Sequence, residues 1–224
     1  MLIDLLTGNI DKWSLISLLL SLPCVILALT VHEYSHGYAA YKLGDPTARN
    51  FGRLTLNPLK HLDLFGTLCM LIAGFGWAKP VPINVRYFKN YKRDMAITAA
   101  AGPLSNFIMG AAGSVISALF MRFIAPIMPM TEASANLIFV IFLFLQTFSV
   151  LNFMLCFFNL IPLPPFDGSR ILFVFLPDKY YFGIMKYERY IMIGFLILLW
   201  TDIIPLPISG IAYFLNELIV NIIL

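Results

Sequence analysis

His32-Glu33-Tyr34-Ser35-His36 is an H-E-x-x-H placed at the end of a long apolar run. Residues four apart share one face of a helix, so both imidazoles can reach a single ion. Glu33 lies about 100° round the helix from His32, near enough to take a proton from a coordinated water without itself binding the metal. Two histidines leave a tetrahedral zinc one protein ligand short, with the fourth position open for water. Zinc lowers the pKa of that water toward ~7, and a neighbouring carboxylate can take its proton as it attacks a carbonyl. Imidazole and carboxylate donors suit zinc, and nothing in the chain suggests redox chemistry. The alternative is a structural polar cluster. Two histidines and a glutamate within an apolar run cost roughly 2.5–3.5 kcal/mol per ionised group on insertion scales, a cost that a bound cation would offset.

A second constellation offers the missing ligand. Asn159-Leu160-Ile161-Pro162-Leu163-Pro164-Pro165-Phe166-Asp167-Gly168 closes another long apolar run with three prolines. Prolines remove backbone donors and break the helix. Irregular backbone at membrane depth survives only where it lines a cavity or is buried in protein. Asp167, followed by glycine, can therefore turn back toward the helices and serve as the third zinc ligand. Capping a short helix that begins near Gly168 is its other reading, and the two roles are compatible.

Both constellations need long helices to carry them, and the composition supplies these. The 224 residues are 60% hydrophobic and 12% charged, against roughly 45–50% and about 25% in soluble domains. A water-soluble fold of this size could not cover its surface with so few polar groups. The expectation is an all-α, polytopic transmembrane helical bundle; at about 20 residues per span the length allows four to six spans. Apolar runs fall at 13–40, 95–124 and 137–160, with shorter helices at 190–200 and 207–224. The stretch 64–76 is too short to span comfortably and reads as re-entrant or extended. Residues 77–84 contain Pro80-Val81-Pro82, which enforces an extended backbone and could pair with an unwound substrate by strand addition. Small residues at 111–113 favour close helix–helix approach.

Basic residues crowd 41–94 and 170–189, which the positive-inside rule places in the cytoplasm if 64–76 does not cross. They read as topology signals rather than as a nucleic-acid surface, in keeping with a net charge of +3. The three cysteines lie in apolar runs without C-x-x-C spacing, so they read as small buried residues. His61, in a polar loop, reads as a solvated interfacial residue. With no linker or repeat, residues 1–224 form one domain, its catalytic core at roughly 14–171 and its C-terminal helices at roughly 183–224.

H-E-x-x-H on one apolar helix, with N-x-x-P…D-G ending a later one, resembles the site-2 protease family of intramembrane zinc metalloproteases, peptidase family M50. The resemblance covers roughly residues 16–171 and implies a three-helix catalytic core. It also implies one zinc per chain on His32, His36 and Asp167, Glu33 as the base, and Asn159 as a substrate-binding or oxyanion residue. A side-chain amide is suitable chemistry for an oxyanion; holding broken helix ends together is the rival role for Asn159. Ala101-Gly102-Pro103-Leu104-Ser105-Asn106 resembles the family's middle core helix, where Gly-Pro and Asn106 read as packing and cross-helix bonding. Many relatives insert a PDZ domain or append a CBS module; this chain has room for neither, and resembles the short branch.

The implied activity is hydrolysis of transmembrane protein substrates near the cytoplasmic side. The expected location is the cell membrane of a prokaryote, with several passes through the bilayer and the active site toward the cytoplasm. Oligomeric state, substrate identity and cleavage position stay open. The rival functions are a metal-ion transporter and a catalytically silent relative that binds membrane partners. Transporters tend to carry repeated halves, which this chain lacks, and Glu33 has an evident role only in hydrolysis.

Overall fold

Uninterrupted apolar sequence gives long helices, and helix α1 (Lys12–Lys42) carries the H-E-x-x-H motif in its last third. The computed structural model describes residues 12–63, 66, 78–129, 131–200 and 207–224. After α1 come the single turn α2 (Thr47–Asn50) and two short 3₁₀ turns, Pro58–Lys60 and Val85–Tyr87. Helix α3 (Tyr91–Leu119) follows and runs on through a π turn to a 3₁₀ turn ending at Ile127. Next are α4 (Glu132–Asn159), α5 (Asp167–Leu172), α6 (Asp178–Met185), α7 (Glu188–Trp200) and α8 (Ile208–Ile223).

Among the described residues three helices are long and apolar enough to cross a bilayer: Leu15–Lys42, Tyr91–Ile127 and Glu132–Asn159. The length alone suggested four to six. Toward the C-terminus the described helices are shorter, 13 residues in α7 and 16 in α8, against the ~20 a span needs. The segment 64–76 falls, apart from Gly66, outside the described residues. Among those residues no strand forms, and the only pairing of extended backbone is one antiparallel bridge between Leu62 and Ala78. The protein is thus an all-α helical bundle.

The chain stops and starts its helices by ordinary local chemistry. Asn90 caps α3, its Oδ1 accepting the Arg93 N–H at 3.2 Å, while Asp94 accepts the Asn90 N–H at 3.0 Å. Thr131 caps α4 through the Ser134 N–H at 3.1 Å. At the far end of α4 the prolines deny further helix, and the chain makes tight turns before α5 begins at Asp167.

Helices α1, α3 and α4 pack against one another, and α8 packs on α3 and α4. The α3–α4 contact is close because Gly110 faces the ring of Phe153 and Gly113 faces Ser149, as the small-residue patch suggested. Val150 and Phe153 of α4 and Ala212 of α8 form a buried cluster, joined by Ala111 of α3 and by Met154, Phe157, Leu215 and Ile219. Polar groups buried in the same layer find each other. Ser114 donates to Asn216 at 2.8 Å, Asn216 donates to Gln146, and Gln146 donates to Ser117 at 3.0 Å. Away from water such groups must be paired, so this network sets the register of α8.

Candidate active site

The core helices bring the two constellations together. His32 and His36 sit one turn apart on α1, 5% and 7% exposed. Their Nε2 atoms lie 3.0 Å apart, and Asp167 Oδ2 lies 3.2 Å from each. Asp167 reaches them from the first position of α5, whose N-cap is Phe166, so it does not cap that helix. Its neighbour Gly168 permits the approach: a Cβ there would collide with the carbonyl of Leu160 at the end of α4.

The other ring nitrogens decide what this cluster can bind. His36 Nδ1 meets the Thr98 carbonyl at 2.7 Å, which can only accept, so Nδ1 carries the proton. His32 Nδ1 meets Asn106 Oδ1 at 2.6 Å. The Asn106 amide cannot be turned round, because its Nδ2 donates to Ala28 O at 3.2 Å and to Asn152 Oδ1 at 2.9 Å. Asn152 is fixed in turn by donating to Phe148 O at 2.8 Å. Both imidazoles are therefore Nδ1–H tautomers with Nε2 lone pairs turned inward. Two lone pairs and a carboxylate oxygen face one another, an arrangement that needs a cation between them. Donors at 2.0–2.1 Å from a tetrahedral zinc sit roughly 3.3 Å apart, close to the separations here. The donor set fits zinc.

Gly102 on α3 makes room for the rings. A Cβ at this position would lie 2.5 Å from His36 Cε1 and Nε2 and 2.6 Å from His32 Cε1. Gly102→Ala should therefore displace both imidazoles and lower zinc affinity about 10–100-fold, the cost typical of disturbed ligand support. Zinc competition with a chromogenic chelator measures it. Wild-type affinity in this variant would show that the rings need no such cradle.

The remaining expected residues take different roles. Glu33 is outside the three-donor group, and its Oε2 accepts the Val81 N–H at 2.8 Å. Asn159, the last residue of α4, donates its amide to Leu155 O at 2.9 Å and is not drawn into the donor cluster. His61 differs from the solvated reading: it is 1% exposed, with Nε2 donating to Thr55 O at 2.8 Å. The polar segment after α1 folds back on itself and encloses the ring. Cys24 and Cys156 are buried free thiols; Cys69 lies outside the described residues.

Three contributions escaped the sequence reading: the Thr98 carbonyl, Asn152, and the assignment of Asn106 to His32. A signal existed for Asn152, a lone amide in the middle of an uncharged apolar run, since such residues face the bundle interior. No residue-type signal marks a backbone carbonyl.

Comparison with known proteins adds an independent line. The family model described as "Peptidase family M50" matches residues 21–200. A Bacillus subtilis (strain 168) protein named "Putative zinc metalloprotease YwhC" is 40% identical over 179 residues, covering 80% of this chain and 79% of that one. A Mycolicibacterium smegmatis (strain ATCC 700084 / mc(2)155) protein named "Putative zinc metalloprotease Rip2" is 30% identical over 92 residues. That match covers 38% of this chain and 34% of the relative. No solved structure matches the chain.

Proposed function

The chain belongs to peptidase family M50, the site-2 protease family of zinc metalloendopeptidases, and from that premise we propose that it cuts transmembrane proteins within the membrane, close to the cytoplasmic side. The observation that carries this reading is the convergence of His32 Nε2, His36 Nε2 and Asp167 Oδ2 beside a carboxylate, Glu33, that takes no part in the cluster.

We assign one zinc per chain to those three side chains. When bound, it supplies a polarised carbonyl and a water acidic enough to lose a proton near neutral pH. Glu33 takes that proton and returns it to the departing amine, the ordinary work of a general base turned acid. Asn159 donates to the developing oxyanion through the amide hydrogen not committed to Leu155. Thr98, Asn106 and Asn152 hold the imidazoles in the tautomer that leaves Nε2 free for the ion. The surrounding helices exclude bulk water, which strengthens each of these interactions.

Helix geometry supports a site below one interface rather than at mid-bilayer. His36 stands six residues before the end of α1, roughly 9 Å along the axis. Gly102, on the facing wall, stands seven residues past Met95, where the apolar run of α3 begins, roughly 10 Å. Both measures start from the basic end of the bundle, which the positive-inside rule assigns to the cytoplasm. A prokaryotic cell membrane is the setting we propose, with a hydrated path to the site from the cytoplasmic face.

Purified protein in liposomes, offered a panel of single-span substrates, tests the reading. Cleavage should depend on zinc, stop with a chelator, return on zinc addition, and map by mass spectrometry to the cytoplasmic third of the span. Chelator-insensitive cleavage, or cuts confined to soluble tails, would sink it.

A further inference from the structure

Residues 78–84 form no regular element, yet they are held from every side. The Lys79 N–H donates to His61 O at 2.8 Å, and Arg53 donates to Lys79 O at 2.6 Å. At the other end the Asn84 N–H donates to Asp45 Oδ2 at 2.7 Å. Asp45 is fully buried, its second oxygen accepting from the Thr47 N–H at 2.9 Å and from the Thr47 hydroxyl. Arg53 and His61 are buried too. Burying an aspartate, an arginine and a histidine is expensive unless the arrangement they impose is needed. None of the three touches the donor cluster, so zinc binding does not account for them.

What they hold is one hydrogen bond. Pro80 and Pro82 have no N–H, so Val81 carries the only amide hydrogen of that triplet, and it points at Glu33 Oε2, 2.8 Å away. The Val81 side chain, 6% exposed, rests on Gly37, one helical turn beyond Glu33; a Cβ on Gly37 would lie 3.1 Å from Val81 Cγ1. With Lys79, Val81 and Asn84 all donating inward and two positions lacking an N–H, this edge has few donors left for a substrate strand. That weighs against strand addition here and in favour of a different role.

We infer that the Val81 backbone N–H positions the Glu33 carboxylate, fixing Oε2 so that Oε1 receives the proton, and that Asp45, Arg53 and His61 hold this brace in place. The inference deepens the proposed function and rests on Glu33 being the base. The physical need is specific. A carboxylate next in sequence to a metal ligand, on a side chain with several free torsions, competes for the ion's open position. An N–H fixed on one oxygen keeps it out of that position while leaving the other oxygen in reach of the attacking water.

The test compares the full-length protein with Val81→Pro, with Val81→Ala, and with valine 81 replaced by its α-hydroxy analogue. The analogue turns the Pro80–Val81 amide into an ester, replacing the N–H with an oxygen and keeping the side chain. The ester variant should lose about 10–100-fold in kcat, the worth of one hydrogen bond to a charged group. Its KM should stay within about threefold of wild type, its zinc affinity no weaker. Val81→Pro should match it if folded, and Val81→Ala, which keeps the N–H, should retain kcat within about threefold. In a Glu33→Gln background the ester should cause no further loss, because the two changes act through one group. Wild-type kcat in the ester variant overturns the inference, as does a further loss in the Glu33→Gln background, which would place Val81 against substrate. Near-normal hydrolysis by Glu33→Gln alone would instead overturn the base assignment, a separate failure.

Discussion

Glu33→Gln should keep its zinc and its fold and lose about 10²–10⁴-fold in hydrolysis. The structure explains why both halves of that result should hold. Glu33 contributes no atom to the cluster of His32, His36 and Asp167, so the ion's holders are untouched. Glutamine matches glutamate in size, and its amide oxygen can still accept the Val81 N–H that Glu33 Oε2 accepts now. What it lacks is the capacity to take a proton from the attacking water at neutral pH. Elemental analysis for zinc, thermal unfolding in detergent and cleavage of a single-span substrate together read the three quantities. Retained zinc with abolished cleavage supports the protease mechanism. It also separates a protease from a metal carrier, in which metal movement should survive a size-preserving change at a non-ligand. Near-normal cleavage by this variant would leave the chain without a base.

The sequence made some of this site legible for simple reasons. H-E-x-x-H declares itself because helical spacing puts both imidazoles on one face, and Asp167 because prolines and a glycine mark a turn at the end of an apolar run. Those three side chains meet in space. The long helices were legible as well, since apolar runs of their length have few other uses. Support for the site was not, because it arrives through backbone atoms and across long separations. His36 is held by the carbonyl of Thr98, 62 residues away, and Glu33 by the amide of Val81, 48 away. A carbonyl or an amide looks the same at every residue, so composition and spacing say nothing of it. His61 misled for the opposite reason. Its neighbours are polar, which suggests water, but the segment closes over buried Asp45 and Arg53 and shuts the ring inside. Asn159 remains where the sequence placed it, at the end of α4, with half of its amide turned back on its own helix.

Alanine at His32, His36 or Asp167 should reduce zinc from about one per chain to near background, because a site with three protein ligands does not hold the ion tightly on two. Asp167→Ala is the sharpest of the three. It leaves both Nδ1–H bonds, and hence both ring orientations, intact, while removing the carboxylate that faces the two Nε2 lone pairs. Metal loss there can be assigned to the missing ligand rather than to displaced histidines. His32→Ala adds a second injury, since Asn106 Oδ1 loses its donor in a buried network that reaches Asn152 on α4; it should lower stability as well. A ligand that binds only the folded state raises stability in proportion to the logarithm of its saturation, by about 2.7 kcal/mol at one hundred times its Kd. Chelator should therefore lower the melting temperature of the wild type and leave Asp167→Ala unmoved. The measurement is paired: zinc by elemental analysis, melting temperature with and without chelator. Full zinc in Asp167→Ala, or an equal chelator shift in both proteins, would take Asp167 out of the ligand set and return the third position to another donor.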